Sequence, residues 1–339
     1  MSGDLSAFVR ALPKSELHLH LEGSVAASTL AELARKHRID LGLRSLEGLY
    51  RFDDLSSFLQ MYGIICDAVR DADDFERMTY EALERVARAG GRYAELFFSP
   101  QAHVHVPYAK MLDGIVSGMH AAAIDFDLFS QVIPAHNREL GPEAGLAFVE
   151  MVVNDGREEV VGIGLDYMEN DPRQFARMYD YARSEGLRLT AHAGEIGPAD
   201  YVRGSIEELG CERIDHGYHV VDDAELVAAC RAAGTFFTCC PTTTLYTTVW
   251  RDAAAPDHAI RRMLEAGLTI TLNTDDPGLM QTTLVDEYLM VAQKMGATPE
   301  QLKALSLNGI RASWLDDGTK REMLAAWGAE IDGLLACPT

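Results

Sequence analysis

One pattern constrains this chain more than any other. A short apolar run, a turn and an amphipathic stretch follow one another eight times. The runs fall at residues 15–22, 93–99, 128–134, 160–166, 187–192, 211–216, 235–240 and 268–274. Between and after them, residues 26–36, 108–123, 142–153, 172–185, 199–209, 223–233, 257–266 and 284–295 read as helices. Runs such as Gly267-Leu268-Thr269-Ile270-Thr271-Leu272 are too continuously apolar for a sheet wetted on one face, so burial on both faces is expected. Strand-then-helix units in this number predict the α/β class and a (β/α)8 TIM barrel. Extra helices are expected after the first strand, one opening near Asp53-Asp54 and one over residues 73–89, and again at the C-terminus. An open doubly wound sheet is the competing architecture, but no GxGxxG follows a strand. No linker, low-complexity segment or internal repeat divides the chain, so residues 1–339 are read as a single barrel domain.

A barrel of this kind builds its site at the C-terminal ends of its strands. In Ser15-Glu16-Leu17-His18-Leu19-His20-Leu21-Glu22-Gly23-Ser24, leucines alternate with His18, His20 and Glu22, placing those three on one face. Gly23 then turns the chain, and Ser24 is expected to cap the next helix. His-x-His alone is weak evidence, since two histidines on a wet strand end satisfy it. Three other strand ends add to it: His192-Ala-Gly-Glu195, Asp215-His216-Gly-Tyr-His219 and Asn273-Thr-Asp275-Asp276-Pro277. A catalytic zinc takes three or four N/O ligands and leaves room for water, and His18, His20, His192 and Asp275 can supply them. Such a metal lowers the pKa of its water toward neutrality. Glu195 can then shuttle a proton, and His216 can orient the water or stabilise developing charge. Asp275 and Asp276 are adjacent, so their side chains diverge: one can bind metal while the other faces a substrate.

These four motifs, in this order, resemble those of the adenosine deaminase family within the amidohydrolase superfamily, and the resemblance runs from about Pro13 to about Leu315. It implies one Zn2+ per chain, bound by His18, His20, His192 and Asp275, and hydrolytic replacement of a purine 6-amino group by oxygen with release of ammonia. By the same resemblance Glu195 protonates N1, His216 orients the hydroxide, Asp276 holds N7, and a backbone N–H near Tyr167 meets N3. His20 and Glu22 would also face substrate, and Phe58 with Tyr62 would form an aromatic lid; aromatics at helical spacing are otherwise core. The resemblance implies adenosine or 2′-deoxyadenosine as substrate, with adenine or an N6-substituted adenine as the alternative. Glu22 stands where adenosine deaminases usually carry Asp. Glu22, Phe97-Phe98-Ser-Pro-Gln101-Ala-His103 and Gly164-Leu165-Asp166 look like the adenine-deaminase branch. His216-Gly-Tyr-His219 and Tyr246-x-x-Val-Trp250 look like the adenosine branch.

Charge and composition set further bounds. The net charge of −22 repels polyanions, so nucleic acid and anionic membranes are not expected partners; a small-molecule purine is. No uninterrupted apolar stretch is long enough to span a bilayer, and residues 1–11 do not read as a signal peptide, so a cytoplasmic enzyme is expected. The six cysteines contain no CxxC and read as reduced thiols, Cys239-Cys240 as core. Among the other polar residues, His103-x-His105 reads as a polar loop, Gln101 and His136 as outside candidates for the site, and His37 as a helix C-terminal cation. His120 and His258 read as helix surface, and the acidic runs at 71–74 and 222–223 as solvated helix starts. From other classes, a mononuclear amidohydrolase acting on a non-purine and a non-catalytic scaffold compete with this reading. A dinuclear site bridged by a carboxylated lysine is disfavoured, because no expected strand ends in Lys.

Overall fold

A computed structural model describes residues 2–41, 49–52 and 55–336. Eight strands form one parallel sheet in strict sequence order: β1 Lys14–His20, β2 Gly91–Phe98, β3 Phe129–Asn137, β4 Gly162–Asp166, β5 Arg188–Ala193, β6 Arg213–His216, β7 Phe236–Cys239 and β8 Thr269–Leu272. Each lies where a run of the sequence put it, within a few residues at either end. Helices such as Tyr108–Phe126, Pro142–Asp155, Ala199–Glu207 and Ala224–Ala233 return the chain between strands, which is how parallel neighbours must be joined. After β1 the chain forms Ala27–His37, Leu55–Ala68 and Ala72–Arg88; after β8 it forms Leu284–Lys294, Pro299–Ala312 and Asp317–Ala336. The expected opening of a helix at Asp53-Asp54 lies outside the described residues.

The seam between β8 and β1 is made differently from the other strand pairs. A single bridge joins Leu19 to Asp275, beyond the end of β8. There the Asp275 N–H donates to the His18 carbonyl and the His20 N–H to the Asp275 carbonyl, each at 2.8 Å. Below them the Leu17 N–H donates to the Asn273 side-chain oxygen at 2.9 Å, and Thr274 Oγ1 donates to Glu16 at 2.7 Å. The site-bearing turn Asn273-Thr-Asp275 is thus also what closes the barrel.

Side chains tie the two ends. At the base, buried Arg213 pairs with buried Glu95 while its guanidinium lies 4.0 Å from the Trp314 ring centre. At the mouth, Arg138, only 1% exposed, donates to the carbonyls of Leu165, Asp166 and His192, fixing the ends of β4 and β5 against each other.

Several local expectations are corrected. Ser24 does not cap the following helix; its hydroxyl donates back to the Leu21 carbonyl, and Ala26 stands at the cap without a side-chain bond. His258 is fully buried rather than on a helix surface: its Nδ1 caps Ala259–Glu265 by accepting from the Ile260 N–H. Asp74 is buried in a capping box with Asp71, and its carboxylate also takes Lys36 and His37. The segment after β7, read without a helix, forms Pro241–Thr247, begun by a proline whose missing N–H costs nothing in a first turn.

Candidate active site

The ends of β1, β5 and the turn after β8 bring four donors together. His18 Nε2 lies 3.0 Å from His192 Nε2, and His20 Nε2 lies 3.1 Å from it. Asp275 Oδ1 is 3.3 Å from His18 Nε2 and 3.5 Å from His20 Nε2. Ligands about 2.0–2.1 Å from a tetrahedral zinc stand about 3.3–3.4 Å apart, so the donor set fits a single zinc ion. All four residues are buried.

The back of the His18 imidazole is also engaged. His18 Nδ1 donates to Thr238 Oγ1 at 2.9 Å, and that hydroxyl donates to Asp215 Oδ1 at 2.8 Å. Thr190 Oγ1 donates to the other Asp215 oxygen, which lies 3.7 Å from His192 Nδ1. With its proton held on Nδ1, His18 presents its Nε2 lone pair to the centre; partners behind histidine ligands fix tautomer and ring angle in this way.

Over the donors lies a pocket lined by His20, Phe58, Tyr62, Asp166, Tyr167, Glu169, His192, Glu195, His216, Thr247, Asp275 and Asp276 among others. Glu195 Oε1 accepts from Thr247 Oγ1 at 2.5 Å, and Oε2 faces His216 Nε2 at 3.7 Å. Burial, then repulsion from Asp275, pushes the Glu195 carboxyl up to about 8. Burial lowers His216 to about 3 and leaves it neutral, with Nδ1 against Tyr218 Oη at 3.1 Å. Asp276 is driven well above the carboxylate range by burial and by Asp275, and its Oδ1 is buried without a partner. Gly23 makes room for it: a Cβ on Gly23 would come within 1.6 Å of that oxygen. Tyr167, His216 and Asp275, following or ending β4, β6 and β8, all hold left-handed backbones with φ of 66°, 65° and 62°. Such strain in non-glycine residues gathers where side chains are aimed.

Residues 13–327 match the sequence model of the family described as "Adenosine deaminase". The chain belongs to the adenosine deaminase family. Among its relatives is an adenine deaminase of Rhodospirillum rubrum, 36% identical over 330 residues, covering 95% of this chain and 98% of that one. Among solved structures, an amidohydrolase from Burkholderia ambifaria with bound zinc is 37% identical with a TM-score of 0.93, covering 99% and 94% of the two chains. An adenine deaminase from Arthrobacter aurescens is 31% identical with a TM-score of 0.90, covering 96% and 100%. Family membership makes this chain a deaminase of the amidohydrolase superfamily. No described helix is long and apolar enough to cross a membrane.

Within this family frame, the structure places the other expected residues as follows. Phe58 and Tyr62 both line the pocket on the helix Leu55–Ala68 and are 6% and 5% exposed. Glu22 does not continue β1; it sits in the short helical turn Glu22–Ser24, fully buried and outside the pocket lining. Its carboxylate accepts from the Ser99 N–H at 2.8 Å, from His103 Nε2 at 2.9 Å and from Tyr62 Oη at 3.0 Å. Burial opposes its ionisation, but the hydrogen bond and charge of His103 hold its pKa below the ordinary value. His103 lies in the loop after β2 as expected, but its ring is buried and packed against Phe75 rather than solvated. Gln101 and His136 bond each other at 2.8 Å, away from the pocket.

Sequence reasoning passed over Glu169. Its carboxylate accepts from the N–H groups of Gly194, Glu195 and Gly197 at 2.9, 2.7 and 3.0 Å, and more weakly from Ile196 at 3.4 Å. One acidic side chain after β4 thus shapes the loop that carries Glu195. The only signal was its position three residues beyond Asp166, at a strand end. Asp215, Thr238 and Thr247 were likewise given no role.

Proposed function

We propose that this enzyme hydrolyses free adenine to hypoxanthine and ammonia. The observation that carries this reading is the enclosure of Glu22. A carboxylate that is to bind a pentose hydroxyl must face the substrate space. This one is already engaged by Ser99, His103 and Tyr62, and the Tyr62 ring closes the wall in front of it. The adenine deaminases among its relatives support the same choice, so adenine displaces adenosine, the first expectation from sequence.

In this reading His18, His20, His192 and Asp275 hold zinc, which supplies a hydroxide nucleophile near neutral pH. The chain's residues do the rest. Glu195, protonated below about pH 8, donates to N1 and makes C6 electrophilic. Asp276, kept neutral, donates from Oδ1 to N7. Neutral His216 orients the attacking water, and Tyr218 holds its far nitrogen. As the water oxygen bonds to C6, the Glu195 carboxylate left after protonation of N1 takes a proton from that water and passes it to the amino nitrogen; the C6–N bond breaks, ammonia leaves, and the proton of the new C6 hydroxyl returns to Glu195 as the C6 carbonyl forms. Phe58, Tyr62 and Tyr167 wall the purine faces and edge, with the Tyr167 backbone N–H toward N3. The full chain acts as one barrel domain.

A spectrophotometric comparison of adenine, adenosine, 2′-deoxyadenosine and N6-methyladenine with zinc-replete enzyme tests this. Adenine should give a kcat/KM at least a hundredfold above the nucleosides. Nucleoside turnover equal to or above that of adenine would end the reading.

A further inference from the structure

We propose that Asp166 is a specificity-determining residue that accepts a hydrogen bond from N9–H of the free base. The inference rests on the adenine reading above. Asp166 ends β4 and lines the pocket. Its Oδ2 accepts from Ser99 Oγ at 2.8 Å, while Oδ1 is buried and has no partner. Only Asp276 among the other pocket carboxyls is left in the same state. A buried acceptor without a donor is costly unless something that binds there completes it.

The barrel fixes which part of the ligand that is. In an eight-strand sheet in sequence order, β4 stands opposite β8. Asp276 follows β8 and Glu195 follows β5, next to β4. A purine with C6 over the metal donors, N7 toward Asp276 and N1 toward Glu195 must turn its N3–C4–N9 edge toward β4. Free adenine offers a donor on that edge, N9–H, and any nucleoside has lost it to the glycosidic carbon. Glu22, Tyr62, Ser99 and Asp166 stand in a row of polar contacts: Tyr62 Oη donates to Glu22 at 3.0 Å and lies 3.1 Å from Ser99 Oγ, whose own proton goes to Asp166. The tyrosine that seals the pentose side is thereby connected to the residue that reads the unsubstituted nitrogen. A polar site built for a ligand N–H discriminates strongly against the analogue that lacks it, because the acceptor is then left bare.

The test compares adenine, 9-methyladenine and 3-deazaadenine with wild type, Asp166→Ala and the nearly isosteric Asp166→Asn, each checked for zinc content and folding. In wild type, adenine should exceed 9-methyladenine in kcat/KM by on the order of a thousandfold, while 3-deazaadenine keeps binding as a competitive inhibitor or slow substrate. In Asp166→Ala the value for adenine should fall on the order of a hundredfold or more, and that for 9-methyladenine should change by less than threefold, so their ratio shrinks. An equal fall for both bases would make Asp166 merely structural and overturn the proposal. Wild type turning over 9-methyladenine within threefold of adenine would overturn it without any variant, and so would a discrimination that follows loss of N3 but not substitution at N9. Failure of wild type to use adenine at all, with adenosine turned over, is a different result that removes the adenine reading itself.

Discussion

At the scale of single residues, the proposed mechanism gives Glu195 and Glu169 two tasks that removal should separate. Glu195→Gln keeps the shape and the Thr247 contact but has no acidic proton to give N1. Positioned general acids contribute roughly 10²–10⁴ in rate, so kcat should fall by about that factor with zinc content unchanged by metal analysis. Full turnover in that variant would contradict the proton role. Glu169 touches no reacting atom in the proposed mechanism; it holds the loop by its backbone N–H groups. Glu169→Ala leaves those donors bare, at roughly 1–3 kcal/mol for each one that stays buried and unpaired. Both the melting temperature and kcat should drop, whereas Glu195→Gln should lower kcat alone; equal melting temperatures for the two would refute the distinction. The difference also marks what the sequence could tell. The motif residues His18, His20, His192, Glu195, His216, Asp275 and Asp276 stood out because their chemistry and strand-end positions are both visible in one dimension. Glu169 did not, and Asp166 and His103 showed only a family likeness, because their partners are backbone N–H groups, a serine hydroxyl or a carboxylate tens of residues away, and nothing local announces such contacts.

Elements were read more securely than their ends. β1 stops at His20, and Glu22 turns away into the wall, because Gly23 must pass against Asp276. Alternation of leucine and polar residues could not reveal that constraint, since it is set by a turn some 250 residues later. The helix Ala259–Glu265 shows a second kind of blindness. His258 looked like a surface residue of a longer helix, but it is the cap, with Nδ1 accepting from Ile260 at 3.3 Å and Nε2 against Thr244 Oγ1 at 3.1 Å. Burial lowers its pKa from 6.5 to about 4. Between those values the unfolded chain binds the proton and the folded chain does not, so this residue's contribution to stability falls as pH drops from 6.5 toward 4. Asn is also a good cap but does not titrate. The melting temperature of His258→Asn should therefore decline less steeply than that of wild type between pH 7 and pH 5; parallel declines would show that His258 stays neutral in both states or titrates without effect.

For the whole molecule, the proposed zinc donors and the barrel seam coincide. His18 and His20 come from the first strand, His192 from the fifth, and Asp275 from the turn whose backbone completes the circle beyond the last strand. Any cation held by all four therefore links the two ends of the sheet across the place where ladder pairing gives way to a single bridge. An ion that binds only the folded chain stabilises it by mass action, about 2.7 kcal/mol when free zinc is at a hundred times its Kd. Here that stabilisation should also be directional. Chelation should lower the melting temperature, and amide exchange should rise first in residues 17–20 and 272–276 rather than evenly around the barrel. Asn273→Ala, which removes the acceptor for the Leu17 N–H without touching a zinc donor, should steepen the loss on chelation beyond the sum of the two separate effects. The neighbours of one seam should couple in this way, whereas a metal that served catalysis alone would leave Asn273→Ala and chelation additive and the exchange pattern uniform.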